Sequence, residues 1–255
     1  MVNHCNLTCD HCCSYSPLLS PSEVDPDELT QDLHALKGLL KPQLLKIVGG
    51  EPTLHSNLFK ILSSAKAVQI APQLSLTTNG CFLDRITDEC LMLLDHITIS
   101  VYSLEPRQKS IFKSFIKRAK KFTVILNWKI QDTFSQMDRG ELSTRADAES
   151  IFQSCWIHDR CHSVRRGVFY CCTRTQYLKD LYGETPFTDD GVRIRDTRQE
   201  KLLQKIHKYL NRTEPLNSCR LCYGGQAPLR PHRLLSKKEQ TLKKAQVKEL
   251  CRCIT

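Results

Sequence analysis

From residue 25 to about residue 130 the chain alternates two hydrophobic patterns. One is a stripe at helical spacing: Leu29, Leu33, Leu36, Leu39 and Leu40 follow Asp25-Pro26-Asp27-Glu28, an acidic start that predicts a helix with a core-facing side. Gly38 is expected to weaken that helix only locally. The other pattern is a short apolar run bounded by turn residues. Leu44 to Val48 ahead of Gly49-Gly50, Leu74 to Thr78 ahead of Asn79-Gly80, His96 to Val101, and Phe122 to Trp128 read as strands. Helices are expected between them, from about Leu54 to Lys66, Asp84 to Leu94 and Pro106 to Lys121, the last with a solvated face of lysines. Strands alternating with helices predict parallel βαβ units. The fold class expected is therefore α/β, as a partial barrel, because a complete eightfold barrel takes about 250 residues and much of this chain has another character.

That change of character begins near Gln131. His162-Ser163-Val164 and Val168-Phe169-Tyr170 flank Arg165-Arg166-Gly167, a hairpin signature. A Lys-rich helical segment then ends at Cys251-Arg252-Cys253, expected to be a solvated tail whose terminal thiols are unused. The expected division is 1–130 for the barrel core, 131–227 for a small cysteine-rich domain and 228–255 for a basic helical tail.

Composition narrows the class. Hydrophobic content of 40% and charged content of 25% are ordinary for a globular protein. No apolar run approaches the roughly 20 residues needed to cross a bilayer, and Met1-Val2-Asn3-His4 does not open a signal peptide, so a cytoplasmic protein without a membrane partner is expected. The formal charge is +10, and eight Lys or Arg against two Glu give +6 from Pro228 onward. Such a surface attracts nucleic acid or acidic membranes in some proteins, but a solvated amphipathic helix explains it here, and nucleic acid is not an expected partner.

Fourteen cysteines change the picture most, because they fall in metal-like groups rather than in the context of an exported disulfide protein. Cys5, Cys9 and Cys12 are spaced C-x₃-C-x₂-C. Three thiolates on a short loop suit an iron–sulfur cube, each binding one iron and leaving the fourth iron open. Structural zinc closes its shell with four ligands in paired spacings, and only Cys13 and His11 stand nearby to complete one. Cys13, adjacent to Cys12, reads as a packing thiol.

The triplet resembles that of the radical S-adenosylmethionine (SAM) superfamily. The resemblance extends to Gly49-Gly50-Glu51-Pro52, similar to the family's GGEP motif at the end of the second barrel strand, and to Thr78-Asn79-Gly80, similar to its T-N-G segment. It implies a [4Fe-4S] cluster on Cys5, Cys9 and Cys12 whose open iron takes the amino and carboxyl groups of SAM. An electron from the cluster then breaks a carbon–sulfur bond, giving methionine and a 5′-deoxyadenosyl radical that abstracts a hydrogen atom from substrate. Gly49, Gly50, Glu51 and Pro52, together with Thr78, Asn79 and Ser100, would position SAM. Glycine at such a place lets backbone approach a ligand closely. The family's barrel begins with a strand leading into the cysteine loop; four residues precede Cys5, so that strand is expected to be very short or in part missing.

A second group follows: Cys155, Cys161, Cys171 and Cys172, then Cys219-Arg220-Leu221-Cys222. A cysteine before a hairpin, glycine at its turn, Cys172 beyond it and a distant C-x₂-C resemble the twitch domain, the short form of the SPASM extension. This implies a second, auxiliary iron–sulfur cluster on Cys172, Cys219 and Cys222 with Cys155 or Cys161 as fourth ligand. A leftover thiol would be structural or a hydrogen-atom donor, Cys161 being the candidate donor. A zinc ribbon is the competing reading of Cys219-x₂-Cys222.

The function expected is hydrogen-atom abstraction from an organic substrate, oxidising or epimerising a sugar- or aminocyclitol-like small molecule, with flavodoxin or ferredoxin as reducing partner. Competing expectations are a peptide-modifying maturase and a non-catalytic zinc or nucleic-acid-binding module.

Overall fold

The computed structural model describes residues 1–102, 106–183, 185–195 and 197–254, which form two compact units: Met1–Asn6 with Pro21–Asp132, and Leu7–Ser20 with Thr133–Thr255.

The first unit contains α1 (Pro26–Leu36), β1 (Leu44–Ile47), α2 (Leu58–Val68), β2 (Gln73–Thr78), α3 (Asp88–Leu93), β3 (His96–Val101), α4 (Pro106–Ala119) and β4 (Ile125–Ile130). The four strands pair in parallel in the order β1-β2-β3-β4, the βαβ arrangement that the alternating pattern predicts. Register gives the sheet two unlike faces. Ile47, Leu76, Ile97 and Leu126 form one row, and with Leu74 and Ile99 they make an apolar face, five of these six being buried. Phe112 of α4 lies 5.1 Å from Trp128 of β4 on that side. The alternate positions, which point the other way in a strand, carry Leu44 and Ile125 at the sheet's outer strands but are otherwise polar: Lys46, Gln73, Ser75, Thr77, His96, Thr98, Ser100, Asn127 and Lys129. Parallel sheets normally read as apolar on both faces, so a polar second face marks a surface reserved for something other than packing.

Element ends depart from the sequence reading where caps intervene. The first helix stops at Leu36 rather than running through Leu40, because the backbone leaves the helix at Lys37 and Gly38 takes φ +83°. The second expected helix is split. Pro52–Leu54 is a short 3₁₀ turn, and α2 begins only after Asn57, whose side chain accepts from the Lys60 amide at 3.3 Å. Likewise Leu83–Arg85 is a 3₁₀ turn and Thr87 caps α3. The amides of Lys120, Lys121 and Phe122 bond back to Ile116, Arg118 and Ala119, which delays β4 to Ile125.

The second unit holds β5 (Thr133–Ser135), α5 (Arg145–Ser154), α6 (Ile157–Arg160), β6 (Ser163–Arg165), β7 (Val168–Tyr170), α7 (Thr175–Tyr182), β8 (Val192–Arg193), α8 (Gln199–Leu210), β9 (Leu229–Pro231) and α9 (Lys237–Ile254). The predicted hairpin is present as β6–β7, with Arg166 (φ +49°) and Gly167 (φ +74°) both left-handed, the signature of a type I′ turn. Its core gathers Tyr15, Leu19, Tyr177, Leu178, Tyr182, Phe187 and Leu221, against which Val247, Leu250 and Cys251 of α9 pack. The basic C-terminal helix is amphipathic, as expected: most of its residues are exposed, while these three are partly buried against this core. Cys251 is half-buried, with its thiol 3.7 Å from the Leu181 carbonyl oxygen. The side chain of Cys253 lies outside the described ones. Among the described residues, no helix is long and apolar enough to cross a membrane.

Candidate functional site

At the carboxyl edge of the parallel strands, where barrel proteins collect functional groups, the first unit builds a hydrogen-bonded knot around Glu51. This carboxylate is 1% exposed. Its Oε1 accepts from the Thr53 amide (3.1 Å), the Thr53 hydroxyl (2.7 Å) and the Thr78 hydroxyl (2.7 Å), and its Oε2 accepts from the Asn79 amide (2.7 Å). Four donors satisfy a charge that burial alone would make costly. Glu51 thereby locks the end of β1 to the end of β2. Asn79 in turn donates from Nδ2 to Asn6 Oδ1 at 2.8 Å and to Cys5 Sγ at 3.5 Å, which ties the first cysteine of the triplet to the strand end.

Gly49 is close-packed, though against the chain itself: a Cβ there would stand 2.7 Å from the Val2 carbonyl oxygen. The Gly50 amide donates to that same oxygen at 2.8 Å and the Glu51 amide to the His4 carbonyl at 3.0 Å. So residues 2–4 run beside the Gly49-Gly50-Glu51 turn. Pro52 is buried and opens the 3₁₀ turn after Glu51. Ser100 is buried on the polar face of β3. On the same face the Thr77 hydroxyl is buried with no hydrogen-bond partner, an orphaned group of the kind a bound polar ligand satisfies.

Cys9 and Cys12 belong to the second unit. Segment 232–235 runs alongside their loop: the Asp10 amide donates to the Arg233 carbonyl (2.9 Å), the Leu235 amide to Thr8 (2.8 Å), and His232 Nε2 lies 3.2 Å from Cys9 Sγ. The Asp10 carboxylate, 5% exposed, pairs with Arg233 at 2.7 Å and Lys243 at 2.8 Å. Burial works to raise its pKa, yet the hydrogen bond and charge of Lys243, with His11 and Arg233, leave it below the usual aspartate value. Cys13 is exposed rather than packed, its thiol 3.9 Å from the Ser14 hydroxyl.

Four of the later cysteines come together. Cys155, Cys172, Cys219 and Cys222 line one cavity of the second unit, whose other walls are largely apolar, among them Ile151, Phe152, Leu178 and Leu216. Cys155 caps α5, Cys172 follows β7, and a 3₁₀ turn over Asn217–Leu221 presents Cys219 and Cys222 one turn apart. That turn is cradled by buried Asp190, which accepts from the Asn217 and Ser218 amides at 2.7 Å each. Burial pushes the Cys172 thiol up to about 12 and raises Cys219 as well. Cys161, at the end of α6, does not line this cavity, and Cys171 is buried elsewhere with its amide 3.3 Å from the Tyr209 hydroxyl. Among the described residues no group of three or more His, Cys, Asp or Glu is placed to hold a single metal ion. Four cysteines without disulfides around a largely apolar cavity have the donor chemistry of a cluster with full thiolate ligation.

Arg174 was invisible to pattern reading. Only 4% exposed, it donates from one Nη to Cys222 Sγ at 2.6 Å and from the other to the Tyr15 hydroxyl. Its place two residues after Cys172 was the one available signal. His232 and Lys243 carried none, since their partners lie more than 200 residues away.

A sequence model of the radical SAM superfamily matches residues 1–128. Among curated proteins, the chain is 30% identical over 122 residues to GTP 3′,8-cyclase of Streptomyces coelicolor, covering 46% of this chain and 35% of that protein. It is 30% identical over 136 residues to GTP 3′,8-cyclase of Aquifex aeolicus, covering 51% of this chain and 42% of that protein. The chain thus spans well under half the length of these curated relatives. Among solved structures it resembles BtrN in complex with AdoMet and 2-DOIA, with a TM-score of 0.50 and 15% identity over 89% of this chain and 94% of that one. BtrN in an open conformation gives the same TM-score and identity over 86% of each chain. These structures share its fold.

Proposed function

The chain belongs to the radical SAM superfamily, and on that premise we propose that it cleaves SAM reductively and abstracts a hydrogen atom from a sugar- or aminocyclitol-like small molecule. The family's enzymes use a [4Fe-4S] cluster and SAM, which together supply the radical chemistry. Cys5, Cys9 and Cys12 hold that cluster. Gly49, Gly50 and Pro52 shape the turn facing SAM, with Thr78, Asn79 and Ser100 on the adjacent strands. Glu51 acts indirectly: its carboxylate is committed to four donors, so it positions Asn79 and the turn rather than touching the cofactor.

The observation that carries this reading beyond the family is the cavity lined by Cys155, Cys172, Cys219 and Cys222. It supports an auxiliary cluster in a twitch-like domain, with Cys155 as the fourth ligand. Four thiolates leave no iron open, which favours electron acceptance from an oxidised substrate over direct substrate binding. The BtrN structure with 2-DOIA supports a small-molecule substrate. A flavodoxin- or ferredoxin-like reductant and a reducing, cytoplasmic compartment complete the reading.

The test is 5′-deoxyadenosine formation from SAM after dithionite addition to anaerobic protein. Product is expected from the parent and not from Cys5→Ala, Cys9→Ala or Cys12→Ala; undiminished product from any of the three overturns the assignment.

A further inference from the structure

Cys9 is the buried member of the cysteine triplet, 7% exposed, while Cys5 and Cys12 are half-buried. A thiolate held away from water calls for a hydrogen-bond donor. His232 stands ready to supply one, its Nε2 lying 3.2 Å from the Cys9 sulfur within the same unit.

Two backbone pairings aim the imidazole. On one flank β9 runs antiparallel to β5, with Thr133 opposite Pro231 and Phe134 opposite Arg230, and the His232 ring lies tilted against the Phe134 ring with centroids 5.2 Å apart. On the other flank residues 233–235 run antiparallel to the cysteine loop. The Asp10 amide donates to the Arg233 carbonyl at 2.9 Å, the Leu235 amide to the Thr8 carbonyl at 2.8 Å and the Thr8 hydroxyl to the Leu235 carbonyl at 2.9 Å, with Cys9 facing Leu234. His232 sits at the junction, so main chain on both sides and a stacked ring fix where its Nε2 points.

The direction of the hydrogen bond follows from the chemistry of the pair. A cysteine bound to iron is a thiolate and carries no proton, so only the imidazole can donate. Reduction adds negative charge to an iron–sulfur cluster, and a hydrogen bond to one of its cysteine sulfurs stabilises the reduced form more than the oxidised one. Resting on the proposed function, we propose that His232 raises the reduction potential of the SAM-cleaving cluster by donating from Nε2–H to the Cys9 sulfur. It is a positioning residue, acting through Cys9, and it makes the cluster easier for the reducing partner to charge with its one electron.

The test is a redox titration of the anaerobic full-length protein at about pH 8, where an ordinary imidazole is neutral. The signal followed is the electron paramagnetic resonance of the reduced cluster that responds to added SAM. His232→Phe keeps a ring against Phe134 but removes the donor. It should lower the midpoint potential by about 59 mV, the equivalent of a tenfold change in a one-electron equilibrium, with iron and sulfide near the parent's. His232→Gln retains a side-chain N–H at similar reach and should keep the potential close to the parent's. An unchanged or raised potential in His232→Phe, an equal lowering in both variants, or loss of the SAM-responsive cluster from either overturns the proposal. If the parent cleaves SAM and His232→Phe leaves the potential unaltered, only this inference fails. A parent with no SAM-responsive cluster would overturn the proposed function, and this inference with it.

Discussion

Asp10 and Lys243 face each other at 2.8 Å, joining the residue between two cysteines of the triplet to the middle of the C-terminal helix. Arg233 reaches the same carboxylate at 2.7 Å, so the cysteine loop is braced by residues more than 200 positions away in sequence. Asp10→Asn should cost about 1–3 kcal/mol, since it strands two cations that are themselves partly exposed. The folded carboxyl titrates below its ordinary value, so its contribution is fully present above about pH 4 and disappears as pH falls through the lowered value. Urea denaturation of parent and variant at pH 7 and near pH 3 checks this: the gap in stability should narrow at the lower pH.

Glu51→Ala should destabilise the first unit by about 2–5 kcal/mol, because it removes the acceptor for two buried backbone amides and two hydroxyls at once. Thermal unfolding measures the loss. A stability equal to the parent's would mean that the knot at the end of β1 and β2 does not hold those strands together.

Gly49 and Gly50 have separable roles. Gly49→Val places a Cβ 2.7 Å from the Val2 carbonyl oxygen and must displace residues 1–4, so it should lower stability by about 1–3 kcal/mol. Gly50→Val should instead weaken SAM binding while iron content stays near that of the parent. Calorimetric SAM titration and denaturant curves on both variants separate the effects. Unchanged SAM affinity in Gly50→Val would make the double glycine a turn and nothing more.

The parallel sheet was legible because its signals are local. Each strand is a short apolar run closed by Gly49, Asn79 or another turn residue, and the period-2 rows of Ile47, Leu76 and Ile97 follow from pairing such runs side by side. Helix ends were less legible, since Gly38 and Asn57 act through backbone geometry that a leucine stripe does not record. Site geometry was legible only in part. The spacing C-x₂-C singles out Cys219 and Cys222 as a pair, but the buried Arg174 beside Cys222 and the pairing of His232 with Cys9 depend on chain segments distant in sequence. The same holds for the C-terminal helix: its amphipathic character is expected, but the core on which Val247 and Leu250 pack is built from distant segments.

Cys155 and Cys161 are the rival fourth ligands of the proposed second cluster, and of the two only Cys155 lines the cavity. Cys155→Ser should perturb the second cluster's electron paramagnetic resonance signal and reduce its iron; Cys161→Ser should leave both near the parent's. The reverse result would move the ligand assignment to Cys161 and rule it out as a hydrogen-atom donor.

The central claim, one SAM-cleaving cluster and one auxiliary cluster on a single chain, is tested most directly by iron and acid-labile sulfide analysis of anaerobically purified parent and of the Cys219→Ala, Cys222→Ala double variant, each followed by the SAM-cleavage assay. Two cubes predict about eight irons in the parent and about four in the variant, which still yields 5′-deoxyadenosine. About four irons in the parent, or zinc in place of iron after growth in iron-replete medium, would contradict the second cluster and the twitch-like reading of residues 131–227.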